Sequence, residues 1–575
     1  MTTDILHEQK ILILDFGSQY TQNIARKVRE CQIYCEIHPC TLTFEEIKNL
    51  NAKGIILSGG PASVEEKDSP LCDPRLFELE VPILGICYGM QLITHLLGGK
   101  VDSSPHREFG RAELMLNEFS SALNESPCTQ SGARAPYSNQ LDDTEFWRHI
   151  PAWSEIDSKT FGDHRWQQRN SITTLARIRE TLGELVGSTL IDDIDAGLMR
   201  TRMNLRLTPY VFSRINWANA ENDPVRRQFI PLGSQFIADH PLAMDDSLAE
   251  DSNKVTPYLI HRYPDKALFL PTTLCPVYCS FCTRSRVVGG STAVKSKSTY
   301  GAKPLGWDST FDYIRNHPEI EDIVISGGDV LLLRPKQISQ IGISLLSIPS
   351  VRRIRFATKG VAIMPMKFTS DIEWVEALRE VSRLGRDLMK EVSLHTHFNT
   401  DREITVWTSR AMKTLTDIGV RVRNQSVLIN GVNNSLDCLR YTMRKLANLL
   451  IQPYYIYQHD LVPGCEHLRT TVRKSEGMSL GLQGSMAGFN TPRVVCDAPG
   501  GGGKREISSY ILYDQEIGVS AWTSPAVKPD TIFYYYDPIH LLGERGRAIW
   551  ANPSAIDSRL AKVRAEAAAR LDCTK

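Results

Sequence analysis

The sequence predicts an α/β chain in two parts: a partial (βα) barrel with a helical N-terminal extension, preceded by a truncated α/β segment. Three observations predict it. Strand-like apolar runs alternate with helical stretches at 10–16, 54–61 and 81–91. They alternate again, many times, between 322 and 457. Between the two series lies a loop, Leu274 to Arg284, whose cysteines fall as C-x-x-x-C-x-x-C. Strands that alternate with helices form parallel sheets.

Size and composition set the frame. At 575 residues the chain is too long for one ordinary domain. It is 42% hydrophobic and 23% charged, with no net charge and no basic block, so no nucleic-acid or membrane partner is expected. No apolar run approaches a membrane span, and no N-terminal signal pattern is read. The 13 cysteines are scattered and do not make a disulfide framework. A reduced, cytoplasmic protein is the expectation.

In the first segment, 10–16 (KILILDF) reads as a buried strand and Gln19 to Glu30 as a helix. A second strand runs from Gly54 into the Gly59-Gly60 turn. A third leads through Gly85-x-Cys87-x-Gly89 into a helix. Small residues on each side of Cys87 permit a sharp strand-to-helix turn that exposes the thiol. The helix N-terminus favours thiolate, and the Gly59-Gly60 loop offers N–H groups to an oxyanion. With the stretches from Asp15 to Tyr20 and Arg107 to Glu113, this segment resembles the class I glutamine amidotransferase domain of GMP synthetase over about residues 9–118. The resemblance implies a truncated flavodoxin-like fold with Cys87 as nucleophile. It is incomplete. The family's later His-Pro-Glu, base and orienting group for the cysteine, does not follow in this segment. His317-Pro318-Glu319 lies far downstream in a differently explained region. The ATP-pyrophosphatase half is also missing, for Ser326-Gly327-Gly328-Asp329 lacks the Asp-Ser ending of its phosphate loop. Without a base, Cys87 is expected to be inactive. Residues 119–144, rich in Ser, Asn, Pro and Gly, read as a linker.

The cysteine loop carries the strongest chemistry. Cys275, Cys279 and Cys282 can occupy three corners of a 4Fe-4S cube and leave the fourth iron open. Zinc asks for four ligands, usually as two C-x-x-C pairs, and only one pair is present. The loop closely resembles that of radical S-adenosylmethionine (SAM) enzymes, where SAM fills the open corner. The strand at Asp322 ends in Gly327-Gly328-Asp329. Alone this is an ordinary glycine turn; within such a barrel it is expected to approach SAM, with Asp329 receiving its ammonium. Strands at 353–358, 391–399, 425–429 and 453–457 continue repeated βα units that suggest a barrel or open barrel, with chemistry at the strands' C-terminal ends; the resemblance implies about six units.

A second centre is the run from Asp497 to Lys504, with Gly500, Gly501, Gly502 and Gly503 between. In isolation it reads as a flexible loop beside a solvated lysine. Together with Trp166, the stretch from His261 to Asp265 and the three cysteines, it resembles the lysine 2,3-aminomutase family over about residues 145–540. That resemblance implies a helical N-terminal region at 145–250, a radical SAM barrel at 251–495, and a lysine loop and C-terminal segment at 496–575. It implies that Lys504 carries pyridoxal phosphate (PLP) and that the four glycines approach it. Arg284 is implied as clamp for the substrate carboxylate, and Asp460 and Asp497 as partners of a side-chain ammonium. Arg262 stands in the cofactor network, and Lys266 where a second arginine is expected, keeping the charge and losing the fork. Structural zinc is expected to be absent, because the loop at Asn433 to Ser435 has no cysteine and the tail offers only Cys573. The implied reaction moves the amine of an amino acid from Cα to Cβ by 5′-deoxyadenosyl radical chemistry, with an external electron donor and a homo-oligomer. Glutamate is disfavoured, because a third carboxylate would be repelled by the two acids, and L-lysine is favoured over arginine because the match is to the lysine enzymes. Arginine or another cationic amino acid, or an amidotransferase that delivers ammonia, are the alternatives.

Overall fold

The computed structural model describes residues 10–30, 33–64, 66, 69–79, 81–101 and 140–573. It divides into two compact units, residues 1–117 and 118–575. The stretch from Arg107 to Glu113 and most of the expected linker lie outside the described residues.

Unit 1 is a parallel sheet in the order β2-β1-β3-β4, with β1 Ile11–Asp15, β2 Cys35–Pro39, β3 Gly54–Leu57 and β4 Ile83–Gly85. β1 is apolar at every position from Ile11 to Leu14 because both faces of the sheet are covered. Leu12 and Leu14 pack with Leu57 and Leu92 on one face; Ile13 packs with Ala25 and Cys35 on the other. The sequence reading missed β2, whose residues CEIHP show no apolar run.

Unit 2 begins with short helices packed through aromatic side chains. Trp147 stacks on Phe161 with centroids 4.1 Å apart, and Trp166 meets Trp153 edge-on at 6.1 Å. A ten-stranded sheet follows. Its strands are β5 Lys254–Thr256, β6 Leu259–Tyr263, β7 Lys266–Thr272, β8 Asp322–Gly327, β9 Arg353–Ala357, β10 Glu391–Thr396, β11 Arg421–Val427, β12 Ile451–Tyr457, β13 Arg493–Ala498 and β14 Gly503–Glu506. They pair in sequence order. β7 to β13 are all parallel, and the hairpin partners β5, β6 and β14 run antiparallel at the edges. The seven parallel strands compare with the about six units that the resemblance implies. β7 carries Pro271 and β13 is a short apolar run, so neither shows an alternating pattern. The sheet runs through residue 496, where the sequence reading set a segment boundary. β15 Leu512–Asp514, β16 Val519–Ser524 and β17 Lys528–Tyr536 form a small antiparallel sheet, and the chain ends in the helix Pro553–Cys573. No helix among the described residues is long and apolar enough to cross a membrane.

The sheet is linear, so its two ends are not hydrogen bonded to each other. Side chains bridge them instead. Arg262 on β6 pairs with Asp497 on β13 at 3.2 Å, and the Lys504 N–H on β14 donates to the Tyr263 hydroxyl at 2.9 Å. The expected chemistry sits where the open barrel is drawn together.

Candidate functional site

The cysteine loop leaves β7 and is pinned by its backbone. The Tyr278 N–H donates to Arg206 O at 3.1 Å, Ser280 N–H to Gln228 O at 2.8 Å, and Gly289 N–H to Thr273 O at 3.1 Å. Cys275, Cys279 and Cys282 are free and partly exposed. Burial pushes all three thiols up, Cys279 to about 12; neighbouring sulfurs add to the shift at Cys275 and Cys279, while Arg284 and Lys297 oppose it at Cys282. Three neighbouring, desolvated thiols that ionise with difficulty on their own are a donor set whose thiolates a cationic cluster would stabilise. Among the described residues, no three His, Cys, Asp or Glu side chains converge as ligands of one ion would. A cubane takes one thiolate at each of three corners and does not ask for that convergence.

The Gly-Gly-Asp turn ends β8 against this loop. Gly327 has φ of +102°, and a Cβ there would lie 2.3 Å from Thr272 O; one on Gly328 would lie 2.1 Å from Leu274 O. The bare backbones allow Gly328 N–H to reach Thr272 O at 2.7 Å and Asp329 N–H to reach Leu274 O at 2.9 Å. The glycines thus let β8 clamp the root of the cysteine loop. Asp329 is buried, with Oδ1 accepting from Leu331 N–H at 2.8 Å and Oδ2 from Lys359 N–H at 2.9 Å.

The lysine loop closes the other end of the site. Lys504 Nζ lies 3.7 Å from Asp497 Oδ2, over the rings of Tyr263 and Tyr457 at 5.5 and 5.8 Å. Burial pushes its amine down from the ordinary lysine range, against the pull of Asp497. Asp497 is buried, and its Oδ1 has no partner among the described residues. Asp460 is pushed up to about 7, first by burial and then by Asp497; the Thr283 hydroxyl donates to it. Three glycines face protein: a Cβ on Gly501 would lie 2.9 Å from that of Ala249, on Gly502 2.7 Å from the Phe533 ring, and on Gly503 2.7 Å from the Tyr263 hydroxyl. Only Gly500 has room, and its N–H donates to Ser247 O at 2.8 Å. Lys266 stacks its ammonium over Tyr263 at 4.8 Å and pairs with Asp265 at 2.6 Å. A half-enclosed amine beside an unpartnered buried carboxylate oxygen fits an aldehyde cofactor that binds through a lysine.

Arg284 follows the loop and is held side-on by Glu250. Nε lies 2.8 and 3.1 Å from the two carboxylate oxygens, and Nη2 lies 2.7 Å from Oε1. Sequence reasoning missed Glu250, Thr283 and Tyr263, since single acids, threonines and tyrosines carry no spacing signal.

In unit 1, Cys87 is exposed, with φ 50° and ψ −107°, and begins the helix Tyr88–Leu96. A Cβ on Gly85 would lie 2.5 Å from the Gly89 carbonyl, and one on Gly89 2.4 Å from Leu57 O. A Cβ on Gly59 would lie 3.5 Å from that of Cys87, so the glycine loop does flank the thiol. His38 pairs with Glu36 on β2, separated from β4 by β1 and β3. His95 is eight residues along the helix, about 12 Å of rise. His317 stacks on Tyr313 at 3.8 Å in unit 2.

Different relatives match the two parts of the chain. "L-lysine 2,3-aminomutase" of Clostridium subterminale is 35% identical over 371 residues, 64% of this chain and 82% of that protein. Over unit 2, the chain belongs to the lysine 2,3-aminomutase family. "Glutamate 2,3-aminomutase" of Clostridioides difficile (strain 630) is 29% identical over 371 residues, 64% of this chain and 82% of that protein. The family described as "Glutamine amidotransferase class-I" matches residues 12–139. "GMP synthase [glutamine-hydrolyzing]" of Bacillus subtilis (strain 168) is 54% identical over 167 residues, covering 27% of this chain and 32% of that protein. The chain thus spans about a third of that relative. Both matches run past residue 118, into the stretch whose composition reads as linker. Membership of the aminomutase family makes the chain an isomerase of radical SAM type, and implies an amino-acid substrate, a 4Fe-4S cluster and SAM.

Proposed function

We propose that the chain converts L-lysine to L-β-lysine with PLP on Lys504, a cluster on Cys275, Cys279 and Cys282, and SAM at the open iron. When bound, these groups supply hydrogen-atom abstraction and delocalisation of an unpaired electron. The chain positions and desolvates. Arg284 receives the substrate carboxylate on the guanidinium edge that Glu250 leaves free. Asp460 and Asp497 take the side-chain ammonium. Lys504 gives up its proton more readily than an ordinary lysine, which leaves its nitrogen free to engage a carbonyl. Asp497 Oδ2, at 3.7 Å, holds the Lys504 amine in place. Arg262, held to Asp497, and Tyr263 fix the floor under Lys504.

The observation that carries the substrate is the acid pair. Asp460 resists ionisation first because it is buried and then because of the Asp497 charge, and Asp497 keeps one buried oxygen unpartnered among the described residues. A terminal ammonium satisfies both; a terminal carboxylate adds a third negative charge. Anaerobic reconstitution followed by turnover of L-lysine, L-arginine and L-glutamate tests the reading. Lysine is expected to be fastest, and faster turnover of glutamate would overturn it. Unit 1 serves as a non-catalytic module on this reading.

A further inference from the structure

We propose that Glu250 is a positioning residue for Arg284, and that the segment from Asp246 to Asp251 sets the separation between the substrate's two anchoring points. The inference rests on the amino-acid reading above and names a residue outside it.

A guanidinium has five N–H donors. Glu250 occupies the side formed by Nε and Nη2 with distances of 2.7 to 3.1 Å. Nη1 has no partner among the described residues. The arginine is therefore fixed in plane, with its free edge available to a second carboxylate. Glu250 is buried and is itself held from behind by Arg286 Nη2 at 3.3 Å. Arg286 also meets Asp246 at 3.1 Å and Asp251 at 3.3 Å. A buried acid between two arginines orients rather than competes, because moving it would leave charges unpaired.

The backbone around Glu250 is equally constrained. Asp246 Oδ1 accepts from Glu250 N–H at 3.0 Å and Oδ2 from Asp251 N–H at 2.8 Å. Ala249 has φ of 52°, a left-handed conformation uncommon outside glycine. The preceding carbonyls then reach the other half of the site. Leu248 O accepts from Arg262 Nη1 at 2.9 Å, and Ser247 O accepts from Gly500 N–H at 2.8 Å. Arg262 is the arginine that pairs with Asp497. Within four residues, one tightly turned segment holds the carboxylate clamp by a side chain and the amine pocket by two carbonyls. The distance between clamp and pocket is the length the substrate must match.

Glu250→Gln keeps the shape and removes the charge. Its effect is to be read on two ligands: L-lysine, and 1,5-diaminopentane, which has the same two amines and no carboxylate. The expected result is a rise in the lysine KM of about tenfold to a hundredfold, the range of charge-assisted hydrogen bonds. The rise should exceed any fall in kcat. The inhibition constant of diaminopentane, the iron content and the PLP absorbance should stay as in wild type. Equal weakening of lysine and diaminopentane would show a merely structural role and overturn the inference, as would an unchanged lysine KM. If wild type itself bound diaminopentane as tightly as lysine, the Arg284 clamp and this inference would fall together. If wild type instead favoured glutamate, the lysine reading alone would fall. Glu250→Gln should then weaken glutamate and spare 4-aminobutyrate, its decarboxylated analogue.

Discussion

Two cysteine-bearing turns, one in each unit, show opposite degrees of support. Cys87 stands at a strand-to-helix turn with the glycines such a turn needs, and neither described histidine of its unit is placed to take its proton. The loop at Cys275 is tied to the chain on all sides: by Arg206 and Gln228 from the helical extension, by Thr273, and by β8 through two glycines that admit no Cβ. Thr283, next to Cys282, reaches Asp460 in the proposed amine pocket. The difference teaches that a short motif fixes a backbone shape, whereas its chemistry depends on groups contributed from elsewhere in the fold.

The strongest way to break this comparison is at the cysteines themselves. Replacing any one of Cys275, Cys279 or Cys282 by Ala is expected to abolish SAM cleavage while PLP stays bound. Chromatographic measurement of 5′-deoxyadenosine after anaerobic reduction checks it. Full cleavage in all three variants would put the cluster elsewhere.

The next effect lies in the acid pair. Asp460→Asn or Asp497→Asn leaves the bound ammonium under-paired, a loss on the order of 2–5 kcal/mol for a buried charge pair. Steady-state kinetics on lysine should therefore show most activity gone. Wild-type kinetics in both variants would remove the acids from the site.

How much of this could be read in the sequence follows from how each feature is encoded. The cysteines, the glycine run and Lys504 are local strings, and the sequence placed them on turns at the ends of strands. Arg284 and Asp497 were legible as members of those strings. Glu250 was not, because its role depends on a turn that folds back from the helical region onto the loop. The glycines were legible as close-approach residues, but not what they approach. Gly327 and Gly328 make room for Thr272 and Leu274, and Gly501, Gly502 and Gly503 for Ala249, Phe533 and Tyr263. β7 and β13 escaped because a strand buried on both faces, or interrupted by a proline, lacks the alternation that marks a half-exposed one.

A smaller effect should follow pH. Asp460 sits at about 7 in the folded chain, above the ordinary aspartate value near 3.9. The native state thus holds a proton that the unfolded chain has already released. Stability from this group is full below about pH 4 and is lost as pH rises to 7. A cation between the acids favours the ionised form. Lysine affinity should therefore rise about tenfold from pH 6 to pH 8, following the ionised fraction of a group with that pKa. Calorimetric titration at the two pH values measures it, and Asp460→Asn should flatten the dependence. A wild-type affinity that falls over this range would mean that Asp460 is not the titrating partner.

The smallest effect is expected at Cys87, where the comparison can be sharpened. Its thiol is exposed, so nothing in the core depends on it. Cys87→Ala should leave lysine turnover unchanged, and the parent chain should release negligible ammonia from glutamine. The backbone is another matter. A non-glycine residue at φ 50° and ψ −107° carries strain on the order of 1–3 kcal/mol. An active thiol would justify that cost, and an inactive one leaves it as residue of the turn's geometry. Cys87→Gly relieves the strain and loses some chain entropy, about 0.5–1 kcal/mol. Unit 1 in the full chain should therefore open slightly less often in the glycine variant than in the parent. Hydrogen exchange of the β1 and β3 amides reads that opening directly. Robust glutaminase activity lost in Cys87→Ala would show that a base reaches this thiol, and the contrast between the two turns would collapse.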